Sequence, residues 1–130
     1  MFNLKGKKAL VTGGSRGIGR GIVLALAEQG ADVAVNYHSK IKEAKEAVAA
    51  VEALGQESFA VQADVSQKDQ VNKMFAQVKE KWGRLDILVN NAGILSFAPF
   101  EQITEQQWDQ IMAVNLKGQF LCSQEAVKLM

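Results

Sequence analysis

Lys8-Ala9-Leu10-Val11-Thr12-Gly13-Gly14-Ser15-Arg16-Gly17-Ile18-Gly19 is the stretch on which the fold turns. A strand-length run, Lys8–Thr12, leads straight into a glycine-rich turn, and the helical pattern Ile18, Ile22, Leu26 follows without a spacer. Each glycine has a physical part. Gly13 allows the tight turn, Gly17 lets the backbone approach a pyrophosphate, and Gly19 lets the helix pack on the strand. Phosphates would then meet the free N–H groups and positive end of that helix. The spacing is Gly-x-x-x-Gly-x-Gly rather than the commoner Gly-x-Gly-x-x-Gly. Alone such a motif is weak and a purely structural turn explains it as well; between a strand and a helix it points to a dinucleotide. Gly13, Ser15, Arg16, Gly17, Ile18 and Gly19 are therefore cofactor-binding candidates.

Outward from this turn, short apolar runs alternate with helical stripes. Asp32–Tyr37, Ser58–Asp64 and Leu85–Asn91 are strand-length and nearly continuous in hydrophobicity, as expected of parallel strands covered on both faces. Ala44, Val48, Val51 and Leu54 mark a second helix, and Val71, Met74, Phe75, Val78 and Trp82 a third. Gly30, Gly55 and Gly83 are the expected stops. Ser66 is placed to N-cap the third helix, with Asp69 in its first turn. Thr104 and Gln107 fit a capping box, and the pattern predicts one helix from there to Met130. The order βαβαβαβα predicts an α/β fold, a Rossmann-type doubly wound parallel sheet of four βα units in a single domain, 1–130.

Composition narrows the function. The chain has 130 residues, 15 basic against 14 acidic, for a net charge of +1. That balance gives no electrostatic case for nucleic acid or an anionic membrane. No apolar stretch approaches the ~20 residues of a membrane span, and no signal-peptide core follows the N-terminus, so a cytoplasmic location is expected. The one cysteine, Cys122, sits in an apolar helical pattern and reads as a structural thiol. His38 is the only histidine, which excludes a histidine metal cluster; it reads as a polar loop residue, and no metal site is expected.

The second strand decides the cofactor. A site for NAD(H) usually places Asp or Glu at the end of this strand to bind the ribose hydroxyls. Here the strand ends Asn36-Tyr37-His38-Ser39-Lys40, with no acid, and Asp32 comes too early. Asn36, Tyr37 and Ser39 are the candidates at this strand end. A 2′-phosphate meets no carboxylate there, and Arg16 is available as its cation, the alternative for Arg16 being a solvated loop charge. NADP(H) is expected over NAD(H).

Thr12–Gly19, Asp64-Val65, Asn90-Asn91-Ala92-Gly93 and Asn115 together resemble the short-chain dehydrogenase/reductase family, most closely its 3-oxoacyl-acyl-carrier-protein reductase and glucose dehydrogenase branches. The resemblance covers the whole chain. It implies hydride transfer between a nicotinamide and a small-molecule carbonyl or secondary alcohol. It also implies that Asp64 and Val65 contact the adenine and that Asn91, Ala92 and Gly93 line the cofactor. Asn115 becomes the catalytic candidate, holding a water that links the catalytic lysine to solvent. Simpler readings stand beside these: Asp64 capping the loop after its strand, Asn90–Gly93 forming a turn, Asn115 bonding backbone locally.

The chain also departs from the family. The family's Tyr-x-x-x-Lys and its serine lie on later elements. The only tyrosine here is Tyr37, position 41 is Ile41, and Ser123 follows Asn115 on the same helix. The last helix runs to Leu129-Met130 without a polar closing turn, and the fourth strand lacks a fifth beside it. The simplest reading is a chain truncated inside a longer fold; a non-catalytic nucleotide-binding or scaffold module is the rival. Exposed edge groups along Leu85–Asn91, and Ile111, Val114, Phe120 and Leu121 on the last helix, would make a homo-oligomer, dimer or tetramer, the expected state.

Overall fold

A computed structural model describes residues 2–130. Four strands, β1 (Lys8–Val11), β2 (Asp32–Tyr37), β3 (Ser58–Gln62) and β4 (Ile87–Val89), form one parallel sheet in the order β3-β2-β1-β4. The helices are α1 (Gly17–Glu28), α2 (Ile41–Ala53), α3 (Lys68–Trp82), α4 (Glu105–Met112) and α5 (Gly118–Val127). The expected doubly wound α/β arrangement is present.

Period-two alternation explains the layers. Ala9, Val11, Val33 and Val35 face a core shared with Val23 of α1 and Ala44, Ala47 and Val51 of α2. Their neighbours Leu10 and Ala34 face the opposite core, with Met74, Phe75 and Val78 of α3 and Leu121, Cys122 and Ala126 of α5. Both faces being covered, the strands read as unbroken apolar runs. Burial pushes the Cys122 thiol up to about 12, so it packs as a small apolar group and holds almost no thiolate at neutral pH.

The three glycine stops lie where the patterns end. Gly30, Gly55 and Gly83 follow α1, α2 and α3 with positive φ, a conformation in which glycine carries no Cβ penalty. Lys8 and Asp32, the first residues of β1 and β2, pair at 2.6 Å at this same end of the sheet, which raises the lysine's affinity for its proton; the Lys8 backbone N–H donates to Asp86 Oδ2 and holds that carboxyl below its ordinary value.

Four expectations are corrected. Ser66 does not cap α3: the N-cap position is Gln67, and Ser66 Oγ donates to Asp64 Oδ1 at 2.7 Å instead. The strands are shorter than the runs read from the sequence: β1 ends at Val11 and β3 at Gln62, and β4 is only Ile87–Val89, leaving out Leu85 and Asp86 before it and Asn90 and Asn91 after it. The helix from Thr104 is unbroken to Val127 but not α-helical throughout. Its capping box is present, but after Met112 it widens into a π-helical stretch, Ala113–Lys117, before α5. It then closes on a turn in which the Leu129 carbonyl accepts the Leu85 N–H at 3.2 Å. Finally, Val114 and Leu121 are buried in the core and Ile111 is half-buried; Phe120 is exposed as expected, together with Trp108, Leu116, Val127 and Met130.

Candidate functional site

Strand order sets the position of the site. The chain steps outward from β1 to β2 to β3, then crosses to β4 on the other side of β1. The reversal leaves a crevice at the carboxyl end of β1, where open parallel sheets bind ligands. The glycine turn occupies that crevice. Gly13 (φ 61°) and Gly17 (φ 58°) take left-handed conformations. A Cβ on Gly19 would overlap the Gly13 carbonyl oxygen and Asn91 Nδ2, whereas one on Gly17 would meet nothing within 4 Å. Gly19 is thus a packing glycine, and Gly17 borders open space.

Three side chains build the turn's scaffold. Thr12 Oγ1 accepts from the N–H groups of Asn91 (3.0 Å) and Ala92 (2.9 Å). Asn91 Nδ2 donates back to the carbonyls of Thr12 (3.1 Å) and Gly13 (3.0 Å). Asn36, 2% exposed, accepts the Gly13 N–H at 3.0 Å and donates to the carbonyls of Val61 and Ala63, each at 3.2 Å. Its amide is wholly committed to protein. Asn36 therefore holds the turn and β3 together.

A cavity of about 470 Å³ opens over this scaffold. All fourteen sequence candidates line it: Gly13, Ser15, Arg16, Gly17, Ile18, Gly19, Asn36, Tyr37, Ser39, Asp64, Val65, Asn91, Ala92 and Gly93. Asn115 stands behind the lining. Its Nδ2 donates to the Ile94 carbonyl at 2.9 Å and its Oδ1 accepts the Ile94 N–H at 2.8 Å, so it fixes the Gly93–Ile94 edge from within the π-helical stretch. The bond is to distant backbone, not to its own helix. Asp64 does cap its loop, Oδ1 accepting from Ser66 N–H (3.0 Å) and Oγ (2.7 Å), while also lining the cavity.

Sequence reading missed six lining residues: His38, Lys40, Ala63, Ile94, Gln110 and Val114. His38 and Lys40 flank Ser39 on one loop, so the loop as a whole was the signal. Gln110 and Val114 lie four apart, on one face of a helical pattern.

The electrostatics favour an anion. Helix α1 starts at the cavity with no side-chain cap on its N-terminus and no acidic residue in its first turn. Its first N–H groups are left for something else to satisfy. By contrast, Thr104 and Gln107 satisfy the start of α4 themselves. Arg16 is exposed at the cavity and makes no ion pair among the described residues, unlike Arg20, which meets Glu46 at 3.5 Å. Glycines, an uncapped helix end and a free guanidinium fit a dinucleotide's phosphates.

Comparison with known proteins agrees with this geometry. The family model described as short chain dehydrogenase matches residues 7–130. A 3-oxoacyl-[acyl-carrier-protein] reductase, FabG, of Staphylococcus aureus is 48% identical over 124 residues, which cover 95% of this chain and 50% of the relative. Trihydroxynaphthalene reductase of Colletotrichum orbiculare is 43% identical over 126 residues, 97% of this chain and 45% of the relative. The chain thus spans about half the length of the curated relatives it matches. Among solved structures, a short chain dehydrogenase from Burkholderia cenocepacia in complex with NADP superposes with a TM-score of 0.94 at 43% identity, covering 98% of this chain and 52% of that one. A putative short-chain alcohol dehydrogenase from Sinorhizobium meliloti gives a TM-score of 0.93 at 42% identity, covering 98% of this chain and 50% of that one.

Proposed function

The chain belongs to the short chain dehydrogenase family, and from that premise we propose that it is the NADP(H)-binding part of an oxidoreductase moving hydride between the nicotinamide and a small carbonyl or secondary alcohol. The observation that carries the reading is the cavity itself, where an unpaired Arg16 and the uncapped start of α1 face the end of β2, which offers no acid at Asn36, Tyr37, His38 or Ser39. A 3-oxoacyl substrate class is favoured by the FabG relatives. When bound, the nucleotide supplies the hydride; this chain's part is to hold its phosphates at Gly13–Gly19, its adenosine between Tyr37, Ser39, Asp64 and Val65, and its nicotinamide side along Asn91–Gly93. Asn115 keeps that last edge in place.

Arg16→Ala tests the cofactor assignment. It should weaken NADPH binding by one charge-assisted contact, about 1.5–3 kcal/mol or roughly 10- to 150-fold in Kd, and leave NADH nearly unchanged. A fluorescence titration reads both. Equal losses for the two nucleotides would remove the 2′-phosphate from the reading.

The same reading puts the protein in the cytoplasm, where a lone reduced thiol such as Cys122 is stable. It also extends to a homo-oligomer. Support comes from Leu116 and Phe120, each 58% exposed, with Trp108 at 59%. Light scattering at micromolar concentration should give a multiple of 14.2 kDa, and a monodisperse monomer would refute the assembly.

A further inference from the structure

We propose that Gly118 is a positioning residue for the adenosine half of the nucleotide: its missing side chain lets α5 lie against Val65 and so sets the wall that Val65 presents to the cavity. This rests on the nucleotide reading above and adds to it a residue that does not itself line the cavity.

Gly118 stands where helix propensity alone favours alanine. Its backbone is right-handed helix, φ −59° and ψ −40°, so no turn or strain calls for a glycine. A glycine in such a place weakens the helix. Its surroundings supply the reason for it. A Cβ built on Gly118 would lie 2.7 Å from Val65 Cγ2 and 3.3 Å from both Val65 Cβ and the Val65 carbonyl oxygen. Gly21, also helical, has nothing within 4 Å of its added Cβ. Gly118 is buried, and the valine it meets is buried too, yet that valine lines the cavity.

The groups around this contact decide which of them yields. Helix α5 is held on its core side by Leu121, Cys122 and Ala126, all buried. Just before it, Asn115 is tied to both polar groups of the Ile94 backbone, so the helix start cannot withdraw without breaking two hydrogen bonds. The backbone around Val65 is held as well. The Asp64 N–H donates to Gln70 Oε1 at 2.8 Å, the Ser66 N–H to Asp64 Oδ1 at 3.0 Å, and the Gln67 N–H to the Asp64 carbonyl at 3.0 Å. What is left to move is the valine side chain. It is branched at Cβ and stiff at χ1, so it shifts as a unit rather than folding aside. The open space beside it is the cavity. A methyl group on Gly118 would therefore push the Val65 methyls into the volume assigned to the adenosine, and the glycine keeps that volume clear.

The test is a calorimetric titration of the tag-free chain with NADP⁺ and with ADP, for wild type, Gly118→Ala, Val65→Ala and the double variant, at a temperature where thermal melts show each to be folded. Gly118→Ala should weaken both ligands by the same factor, roughly tenfold, as overpacking beside a filled site does. In the Val65→Ala background the same alanine should cost less than about twofold, because the space it needs has been vacated. A glycine with a merely structural part would lower the melting temperature and leave both dissociation constants of the folded protein unchanged, which would overturn the proposal. A loss seen with NADP⁺ but not with ADP would overturn it too, by showing that the helix start moves with Asn115 and disturbs the nicotinamide side. So would a tenfold loss that persists without the Val65 methyls. If Gly118→Ala does not fold, Val65→Ala and the double variant decide. A folded double variant that matches Val65→Ala in affinity supports the contact, and one that stays unfolded or binds tenfold more weakly overturns it. Wild type that binds neither ligand would remove the nucleotide reading and this proposal with it, whereas wild-type binding unaltered by Gly118→Ala removes the proposal alone.

Discussion

Gly19→Ala should abolish nucleotide binding and lower the melting temperature by roughly 10–15 °C, corresponding to about 3 kcal/mol for a domain of this size. The new methyl group would lie inside the contact distance of the Gly13 carbonyl oxygen and of Asn91 Nδ2. The carbonyl is backbone in a turn already held at φ 61°, so it cannot step aside cheaply. Asn91 cannot yield without releasing the carbonyls of Thr12 and Gly13, which it ties to the β4 end. Two neighbouring glycines supply the controls. Gly21 lies inside α1 with nothing within 4 Å of its added Cβ and no positive φ, so Gly21→Ala should stabilise by about 0.5–1 kcal/mol. Gly17 has open space but φ 58°, so Gly17→Ala should cost about 1–2 kcal/mol and place a methyl in the cavity. Thermal melts of the three variants would return opposite signs for Gly19 and Gly21. A Gly19→Ala protein as stable as wild type would show that the turn does not pack as described.

The contrast among these glycines explains what a sequence can disclose. Gly13, Gly17 and Gly19 were legible as a group because a strand, a glycine turn and a helix in immediate succession have few physical uses. The two-faced strands were legible because burial on both sides forces continuous apolar runs. The division of labour inside the turn was legible in outline, with Gly17 left open and Gly19 used in packing, but the partner of Gly19 was not. Nothing local names Asn91 as the side chain against it, because the contact spans 72 residues of chain. Ser66 misled for the same reason. A serine before a helix is a good local cap, but Asp64 two residues earlier offers its hydroxyl a charged acceptor. The π-helical stretch around Asn115 left only an indirect sign, an asparagine where helices disfavour one. Its partner, Ile94, lies on another loop.

Asn36 carries the sharpest test of structure against pattern. Read as a pattern, it stands where NAD(H) sites keep their acid, so Asn36→Asp invites the expectation of a cofactor switch. The structure gives a different outcome. The amide is 2% exposed and faces protein on every side: the Gly13 N–H on its oxygen, the Val61 and Ala63 carbonyls on its nitrogen. Aspartate would keep the first bond and aim a carboxylate oxygen at two carbonyl oxygens, burying an unpaired charge. Its folded-state pKa must then rise above the unfolded value of about 3.9. The folded protein would hold the proton more tightly than the unfolded chain, so the deficit should be small near pH 4. It should grow as pH rises and level off above the folded pKa, at about 3 kcal/mol by pH 7. Asn36→Ala should cost about 2–3 kcal/mol by leaving the same groups without partners, with no pH dependence. Urea denaturation of both variants at pH 4 and pH 7 separates the two effects. Equal, pH-independent losses would show that charge plays no part, and Asn36→Asp with wild-type stability at pH 7 would show that the amide does not tie the turn to β3. The side chain open to a ribose is the next one, Tyr37, half-buried at the cavity wall, and a switch toward the unphosphorylated nucleotide should come from an acid there.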